Sequence, residues 1–377
     1  MKNYIEEHSN AMLNLIEELV NIDSGTYDKD GVDKVGNVLI EEYMKLDFHI
    51  DRYSEKMYGD NLVIRHKDAV EPEILIIAHL DTVFSKGTAI KRPFRQENNY
   101  AYGPGIIDMK SSHVCTLFAL KALIACNSKG YKNIELILNT DEEIGSVCSR
   151  RLIEKVARTK KFALIMEPTF SGAVVTARKG GGKYHLKIKG KSAHAGIEPD
   201  QGISAIEELG HKILKLHRLT NYSKGISVNV GLVSGGTSIN TIAPYAEASI
   251  DVRVETMEQA TFIEDEIKRI CSKSDVPGTH LELSGTITRP PMIPNSASKS
   301  LFSLVQQVAK ELGFDLSAEK RGGKSDGNLT AAMGIATVDG LGPVGGKAHT
   351  EDEYLYIPSL MERTLLLAKI IDRLSRE

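Results

Sequence analysis

The stretch Ile74-Leu75-Ile76-Ile77-Ala78-His79-Leu80-Asp81-Thr82-Val83 sets an imidazole and a carboxylate two residues apart at the end of an apolar run. In extended chain such residues point the same way, so His79 could bind a metal while Asp81 holds or activates something beside it. Two more apolar runs end in similar chemistry. Ile134 to Leu138 leads into Asn139-Thr140-Asp141-Glu142-Glu143, and Phe162 to Met166 leads into Glu167-Pro168. Asp108 follows the loop-forcing Gly103-Pro104-Gly105, and His349 stands in the loop Gly345-Gly346-Lys347-Ala348-His349-Thr350. Hydrolytic zinc takes histidine nitrogen and carboxylate oxygen and keeps a position open for water. His79, Asp108, Glu143, Glu167 and His349 offer such donors at gaps of 29, 35, 24 and 182 residues. That dispersal fits a site built from strand ends rather than a small structural zinc module. Two histidines and three carboxylates exceed one tetrahedral zinc, but a carboxylate bridging two metals uses all five. Such a pair could activate a shared water and polarise a carbonyl. Glu142 and Glu143 diverge as neighbours, so one can ligate while the other serves as general base. Taken singly, each of these residues is ordinary: Asp141-Glu142-Glu143 alone would suit the solvated start of a helix. Their co-occurrence carries the signal.

The elements that must position them follow from hydrophobic periodicity. Apolar runs of four to six residues read as strands buried on both faces, and open α/β sheets place their sites beyond the carboxyl ends of such strands. Helical spacing covers about Glu6 to Val20 and Asp30 to Leu46. Ser111 or Ser112 could cap a helix running through Cys126. After Lys179 the pattern changes. Gly180-Gly181-Gly182 reads as a flexible or closely packed junction, and Lys183 to Lys189 alternates as a strand with one wet face. A helix at Ile203–Leu219, strands at Ile226–Leu232 and Glu247–Val254, a helix at Met257–Cys271 and a strand at His280–Gly285 complete a β-α-β-β-α-β order. That order predicts an inserted ferredoxin-like domain at 180–291, within an α/β domain of 1–179 and 292–377. The latter is expected to hold a mixed, mostly parallel sheet flanked by helices.

The totals exclude several classes. At 377 residues two domains are expected. A net charge of −3 gives no electrostatic argument for nucleic acid or an anionic membrane. No window holds 18 consecutive apolar residues, and the amino terminus lacks a basic stretch followed by an apolar run. Cys115, Cys126, Cys148 and Cys271 form no C-x-x-C pair and read as reduced thiols in a cytoplasmic protein.

Six motifs together resemble the dinuclear-zinc amidohydrolase and peptidase family, which contains acetylornithine deacetylase, succinyl-diaminopimelate desuccinylase, aminoacylase and the glutamate carboxypeptidases. They are His79-Leu80-Asp81-Thr82-Val83, Tyr102 to Lys110, Asp141 to Ser146, Met166-Glu167-Pro168-Thr169, Gly190 to Gly196 and Lys347-Ala348-His349-Thr350. They stand in family order over nearly the whole chain. The resemblance implies two Zn²⁺ per subunit, with Co²⁺ or Mn²⁺ as alternatives. Asp108 would bridge them, His79 and Glu167 completing one site, Glu143 and His349 the other. It makes Asp81 the residue that orients His79, Glu142 the general base, and the inserted domain a lid that dimerises. His194, with Asn240 nearby, would stabilise the oxyanion across the dimer interface. Ser111 and Ser112 replace the family's usual glycines after Asp108-Met109-Lys110 and leave the ligands untouched.

Within the family the likeness is to the folate-cleaving glutamate carboxypeptidase type. It rests on Lys86-Gly87-Thr88, Arg92-Pro93-Phe94-Arg95, Tyr100 to Gly105, Ser249 to Arg253 and Thr288-Arg289-Pro290. Arg253 and Arg289 match positions that grip substrate carboxylates, a task suited to the guanidinium fork. Gly322-Gly323-Lys324-Ser325-Asp326 matches a glycine-rich loop near the substrate. The resemblance therefore implies hydrolysis of an amide beside a C-terminal acidic residue of a small peptide. The alternatives are an N-acyl amino-acid amidohydrolase and a catalytically silent metal-binding homologue; retention of both Asp81 and Glu142 argues against the latter. A nucleotide-dependent enzyme is set aside, because no glycine stretch follows a strand with G-x-G-x-x-G spacing.

Overall fold

The computed structural model describes residues 1–376, which form two compact units. The first comprises Met1–Ala177, Pro294–Lys320 and the chain from Ser325 onward; the second comprises Arg178–Ile293 and Arg321–Lys324.

The first unit is built on a six-stranded sheet. Its strands are β1 (Phe48–Tyr53), β2 (Asn61–His66), β3 (Ile74–His79), β4 (Ile134–Asn139), β5 (Phe162–Ile165) and β6 (Ala336–Val338), in the order β1-β2-β4-β3-β5-β6. β3 runs parallel to β4 and β5, and β6 parallel to β5, whereas β1 and β2 are antiparallel additions at one edge. The sheet is mixed and mostly parallel, as expected. Every residue of β3 and β4 is buried, because helices cover both faces. Each fully buried Ile or Leu there contributes about 1.5–3 kcal/mol relative to exposure. The carboxyl ends of β3, β4 and β5 all lie at one end of the sheet.

A second, small sheet matters as much to the site. It orders Gly345–Gly346, Tyr354–Tyr356, Tyr100–Tyr102 and Arg95–Glu97, all antiparallel. The register pairs Tyr102 with Tyr354 and Ala101 with Leu355, and the rings of Tyr100 and Tyr354 meet edge-on at 5.6 Å. This sheet ties the chain entering the Asp108 loop to the hairpin that carries His349.

Three local expectations need correction. The first helix is two, Lys2–Glu7 and Ser9–Val20, broken at His8, whose φ of −103° and ψ of 10° leave the helical range. Neither Ser111 nor Ser112 caps the helix Ser111–Ala125. The chain enters it from a tight turn at Ile106–Lys110, so Lys110 already has helical φ/ψ and both serines lie inside. Gly180-Gly181-Gly182 opens a strand, and of the two readings, flexible or closely packed, the structure bears out close packing and corrects flexibility. A Cβ on Gly181 would stand 1.9 Å from the Val252 oxygen, and one on Gly182 2.0 Å from that of Thr286. The close packing of two neighbouring strands explains the glycines.

The second unit has strands at Gly180–Lys189, Ser227–Gly235, Tyr245–Val254 and His280–Arg289, with helices at Ala205–His217 and Met257–Cys271. The sheet is antiparallel. Gly180–Lys189 lies between Tyr245–Val254 and His280–Arg289, and Ser227–Gly235 forms the edge beyond Tyr245–Val254. This is the ferredoxin-like order. Its core is Leu186, Ile188, Ile250 and Val252 from the sheet against Leu209, Leu216, Ile263 and Ile267 from the helices. Each helix starts on a side-chain cap, Ser204 for one and a Thr256–Gln259 capping box for the other.

Candidate metal centre and active site

The parallel strands of the first unit deliver the candidate ligands. His79 is the last residue of β3, the Asp141-Glu142-Glu143 segment follows β4, and Glu167 comes two residues after β5. His79 Nε2 lies 3.1 Å from Asp108 Oδ1 and 3.8 Å from Glu167 Oε1. The other oxygen, Asp108 Oδ2, lies 3.2 Å from His349 Nε2, which is 3.3 Å from Glu143 Oε2. The two oxygens of one carboxylate thus face two different histidines, each with its own glutamate. Two donors at about 2.0–2.1 Å from one tetrahedral zinc stand about 3.3 Å apart, close to these separations. Glu142 also offers an oxygen near His79 and Glu167: the three groups have ligand atoms within 4.8 Å of one another.

Several observations show that a cation fits. Glu143 Oε1 is buried and makes no hydrogen bond among the described residues. The acids outnumber the imidazoles, and the protonation states record it. His349 is pushed up to about 10 by its hydrogen bonds to Asp108 and Glu143. Burial works to lower His79, yet hydrogen bonds to Asp108 and Asp81 hold it well above the usual imidazole range. Burial likewise opposes the Asp108 charge, but the two histidines keep its carboxyl far below the usual range. Burial pushes the Glu143 carboxyl up.

A second layer of contacts fixes this arrangement. The Asp81 main-chain oxygen lies 2.9 Å from His79 Nδ1, with its carboxylate at 3.4 Å. That carboxylate accepts hydrogen bonds from the Thr26 hydroxyl (2.7 Å) and from the Glu142 and Glu143 main-chain N–H groups (3.2 and 3.3 Å). Asp81 therefore orients the imidazole chiefly through its own backbone, while its side chain places both glutamates. His113 Nε2 lies 2.7 Å from the His79 carbonyl, and burial pushes that imidazole down to about 3, so it stays neutral and donates.

Sequence reading missed three residues here. Glu353 is buried, and it accepts hydrogen bonds from the N–H groups of Gly105 (3.0 Å), Ile107 (2.9 Å) and Asp108 (3.0 Å). Asp141 closes the turn below Glu142 by accepting from Cys148 N (2.6 Å) and the Ser149 hydroxyl (2.5 Å). Asp326 accepts from the Ser146 hydroxyl (2.6 Å) and the Asn139 amide (2.8 Å). Asp326 thus holds the Asp141–Ser149 segment from below, although its motif suggested a substrate loop. A signal existed for Glu353, four residues after His349, but a single exposed-looking acid in a loop does not announce three buried acceptor bonds.

The remaining candidates belong to the second unit. His194 and Asn240 sit on adjoining loops: Ala195 N donates to the Asn240 carbonyl at 2.9 Å, and His194 pairs with Thr241. Both side chains are exposed. Arg253 Nε binds Asp251 at 2.8 Å, and its Nη1 reaches the Gly322 carbonyl at 3.5 Å. Arg289 is buried. Burial, reinforced by the positive charges of Arg253, Lys183 and Arg289, pushes Lys324 down to about 8.

Comparisons with known proteins agree with this geometry. The model of peptidase family M20/M25/M40 matches residues 75–373. Carboxypeptidase G2 of Pseudomonas sp. (strain RS-16) is 31% identical over 367 residues, covering 96% of this chain and 88% of its own. Among solved structures, a tripeptidase from Staphylococcus aureus superposes with a TM-score of 0.80 at 24% identity, covering 98% of this chain and 99% of its own. A Bacillus subtilis protein described as a dinuclear metal binding peptidase from the M20 family superposes with a TM-score of 0.71 at 16% identity, covering 98% and 99%.

Proposed function

The chain belongs to peptidase family M20/M25/M40, hydrolases of peptide and amide bonds, and from that premise we propose a dinuclear metallocarboxypeptidase that cleaves the amide beside a C-terminal acidic residue. The observation that carries it is the Asp108 carboxylate, whose two oxygens face His79 at 3.1 Å and His349 at 3.2 Å. In this reading Asp108, His79 and Glu167 would hold one metal ion, and Asp108, Glu143 and His349 the other. Two zinc ions, or cobalt or manganese in their place, would supply an acidified water and polarise the substrate carbonyl.

The protein's own groups do the rest. Glu142 stands beside the His79–Glu167 position with its main chain pinned by Asp81, and it takes the proton of the attacking water and returns it to the leaving amine. His194 and Asn240 donate to the oxyanion from the second copy of a homodimer. Supporting that dimer, the edge strand Ser227–Gly235 leaves Leu232 72% and Val233 58% exposed. Arg253 and Arg289 take the terminal carboxylates, a substrate preference supported by the similarity to carboxypeptidase G2. All four cysteines are free thiols, which supports a reducing compartment such as the cytoplasm. Among the described residues no helix is long and apolar enough to cross a membrane.

The test is product release from dipeptides, pteroyl-glutamate and N-acetyl or N-succinyl amino acids, read by mass spectrometry after chelation and zinc add-back. Zinc-restored release of glutamate or aspartate is expected. Cleavage confined to acetyl or succinyl substrates would move the function to deacylation.

A further inference from the structure

Arg363 lies in the first unit, on the closing helix Ile357–Leu374, and is 1% exposed. Its Nη2 donates to the Gly172 carbonyl. Its Nε and Nη1 are buried and find no hydrogen-bond acceptor among the described residues. A guanidinium cannot shed its proton, so a full positive charge is withdrawn from water here, a costly state unless something neutralises it. The groups around it do not. Glu362 Oε1 stands 3.9 Å from Nε, beyond hydrogen-bonding distance, on a side chain 44% exposed to water. Cys115 of the helix Ser111–Ala125 is close enough to feel the guanidinium, but burial pushes its thiol up to about 12, so it stays neutral. There is also room. Gly172 has a φ of +81°, and a Cβ built on it would meet nothing nearer than Arg363 Nη2 at 3.9 Å.

We propose that Nε and Nη1 of Arg363 hold a buried small monovalent anion of the halide class, chloride being the one at hand in most solutions. A water molecule could accept from both donors but would leave the charge uncompensated. A ligand bearing a carboxylate or phosphate needs an opening, and a side chain 1% exposed does not have one. The site stands apart from the candidate metals and does not depend on the hydrolase reading, yet the chain links the two. Gly172 belongs to the segment that follows Glu167-Pro168. Thr169 N donates to the Pro343 carbonyl, and Gly345 N donates to the Thr169 carbonyl, both at 3.1 Å. An anion beside Gly172 thus steadies a segment that joins Glu167 to the hairpin carrying His349.

The experiment follows the melting midpoint of the protein as isolated while chloride replaces gluconate at constant ionic strength, over a range of about 100-fold or more. The wild type is expected to gain about 2–4 °C and then saturate. Arg363→Met and Arg363→Gln should show no chloride response. Arg363→Met, with no charge to neutralise, should match or exceed the wild type at the low-chloride end. If Arg363 served merely to bond Gly172, its loss would lower the midpoint equally at every chloride concentration. Chloride bound at a metal would act on the variants as on the wild type, so the difference in slope isolates Arg363. Crystals of the wild type soaked in bromide should give an anomalous peak in contact with Nε and Nη1. A flat wild-type response, or equal slopes in wild type and variants, overturns the site. If neither variant folds, the bromide map decides: a peak at Arg363 supports the anion, and its absence, with water in its place, refutes it.

Discussion

Carboxylates in this protein divide into those that face the candidate metals and those that aim them. Glu142 belongs with the first group by position, yet its proposed work is proton transfer. Glu142→Gln keeps shape and hydrogen-bonding reach and removes the base. Turnover should fall by about 10²–10⁴ while metal content, read by plasma emission, stays at the wild-type level. Normal turnover would remove its role. Glu353 belongs with the second group. Its two oxygens hold three N–H groups of the loop that presents Asp108. Glu353→Ala strands those donors, each at a cost of about 1–3 kcal/mol if left unsatisfied. The expected result is a metal affinity weaker by about 10–100-fold, with Glu353→Gln intermediate. Calorimetric titration of the apo-protein checks it, and unchanged affinity in Glu353→Ala would make the clamp irrelevant to the site.

At the scale of elements, two kinds of sheet place the site. The parallel strands β3, β4 and β5 could be read in advance because burial on both faces leaves mainly apolar runs, interrupted in β4 by Glu135, that lead into His79, Asn139 and Glu167. The hairpin carrying His349 could not. Its strands are two and three residues long, Gly345–Gly346 and Tyr354–Tyr356, too short for any alternation to register. β1 was hidden differently, since Phe48-His49-Ile50-Asp51-Arg52-Tyr53 is an edge strand with only Phe48 fully buried. The candidate ligands were legible because metal chemistry restricts residue type; the residues that orient them were not, because an acid accepting main-chain hydrogen bonds looks like any other acid. Gly181 offers an element-scale test. Gly181→Ala would force a methyl against the Val252 carbonyl, and about 1–3 kcal/mol of stability should be lost from the second unit. Hydrogen exchange across Tyr184–Ile188 reads that loss directly; unaltered protection would show that the strands can part at no cost.

For the molecule as a whole, acid should act early on the second unit. Lys212 is fully buried and bonds Glu208 at 2.7 Å and Asp275 at 2.6 Å. Lys212 and Lys215 hold the Asp275 carboxyl down at about 2. Burial opposes the Glu208 charge, but Lys212 and the Val276 and Asp275 N–H groups outweigh it and keep that carboxyl low. Depressed folded-state values stabilise the fold above the unfolded values near 4 and lose that contribution as pH falls toward 2. Asp275→Asn should cost on the order of 1 kcal/mol at pH 7, once solvent screening is allowed for, and flatten the dependence between about pH 5 and 2. Urea midpoints at a series of pH values measure it, and parallel curves for the two proteins would sink the assignment.

The hairpin that brings His349 and Glu353 to Asp108 also sets a timetable. A ribosome makes His79, Asp108, Glu143 and Glu167 long before it reaches residue 349, so the nascent chain holds an acid-rich half-cluster with one imidazole and an unclamped Asp108 loop. Such a half-cluster would bind cations loosely and without discrimination. If the proposed ligand set holds, selective loading would begin only when the late segment docks, and metal capture would then be one of the last events in this protein's biogenesis.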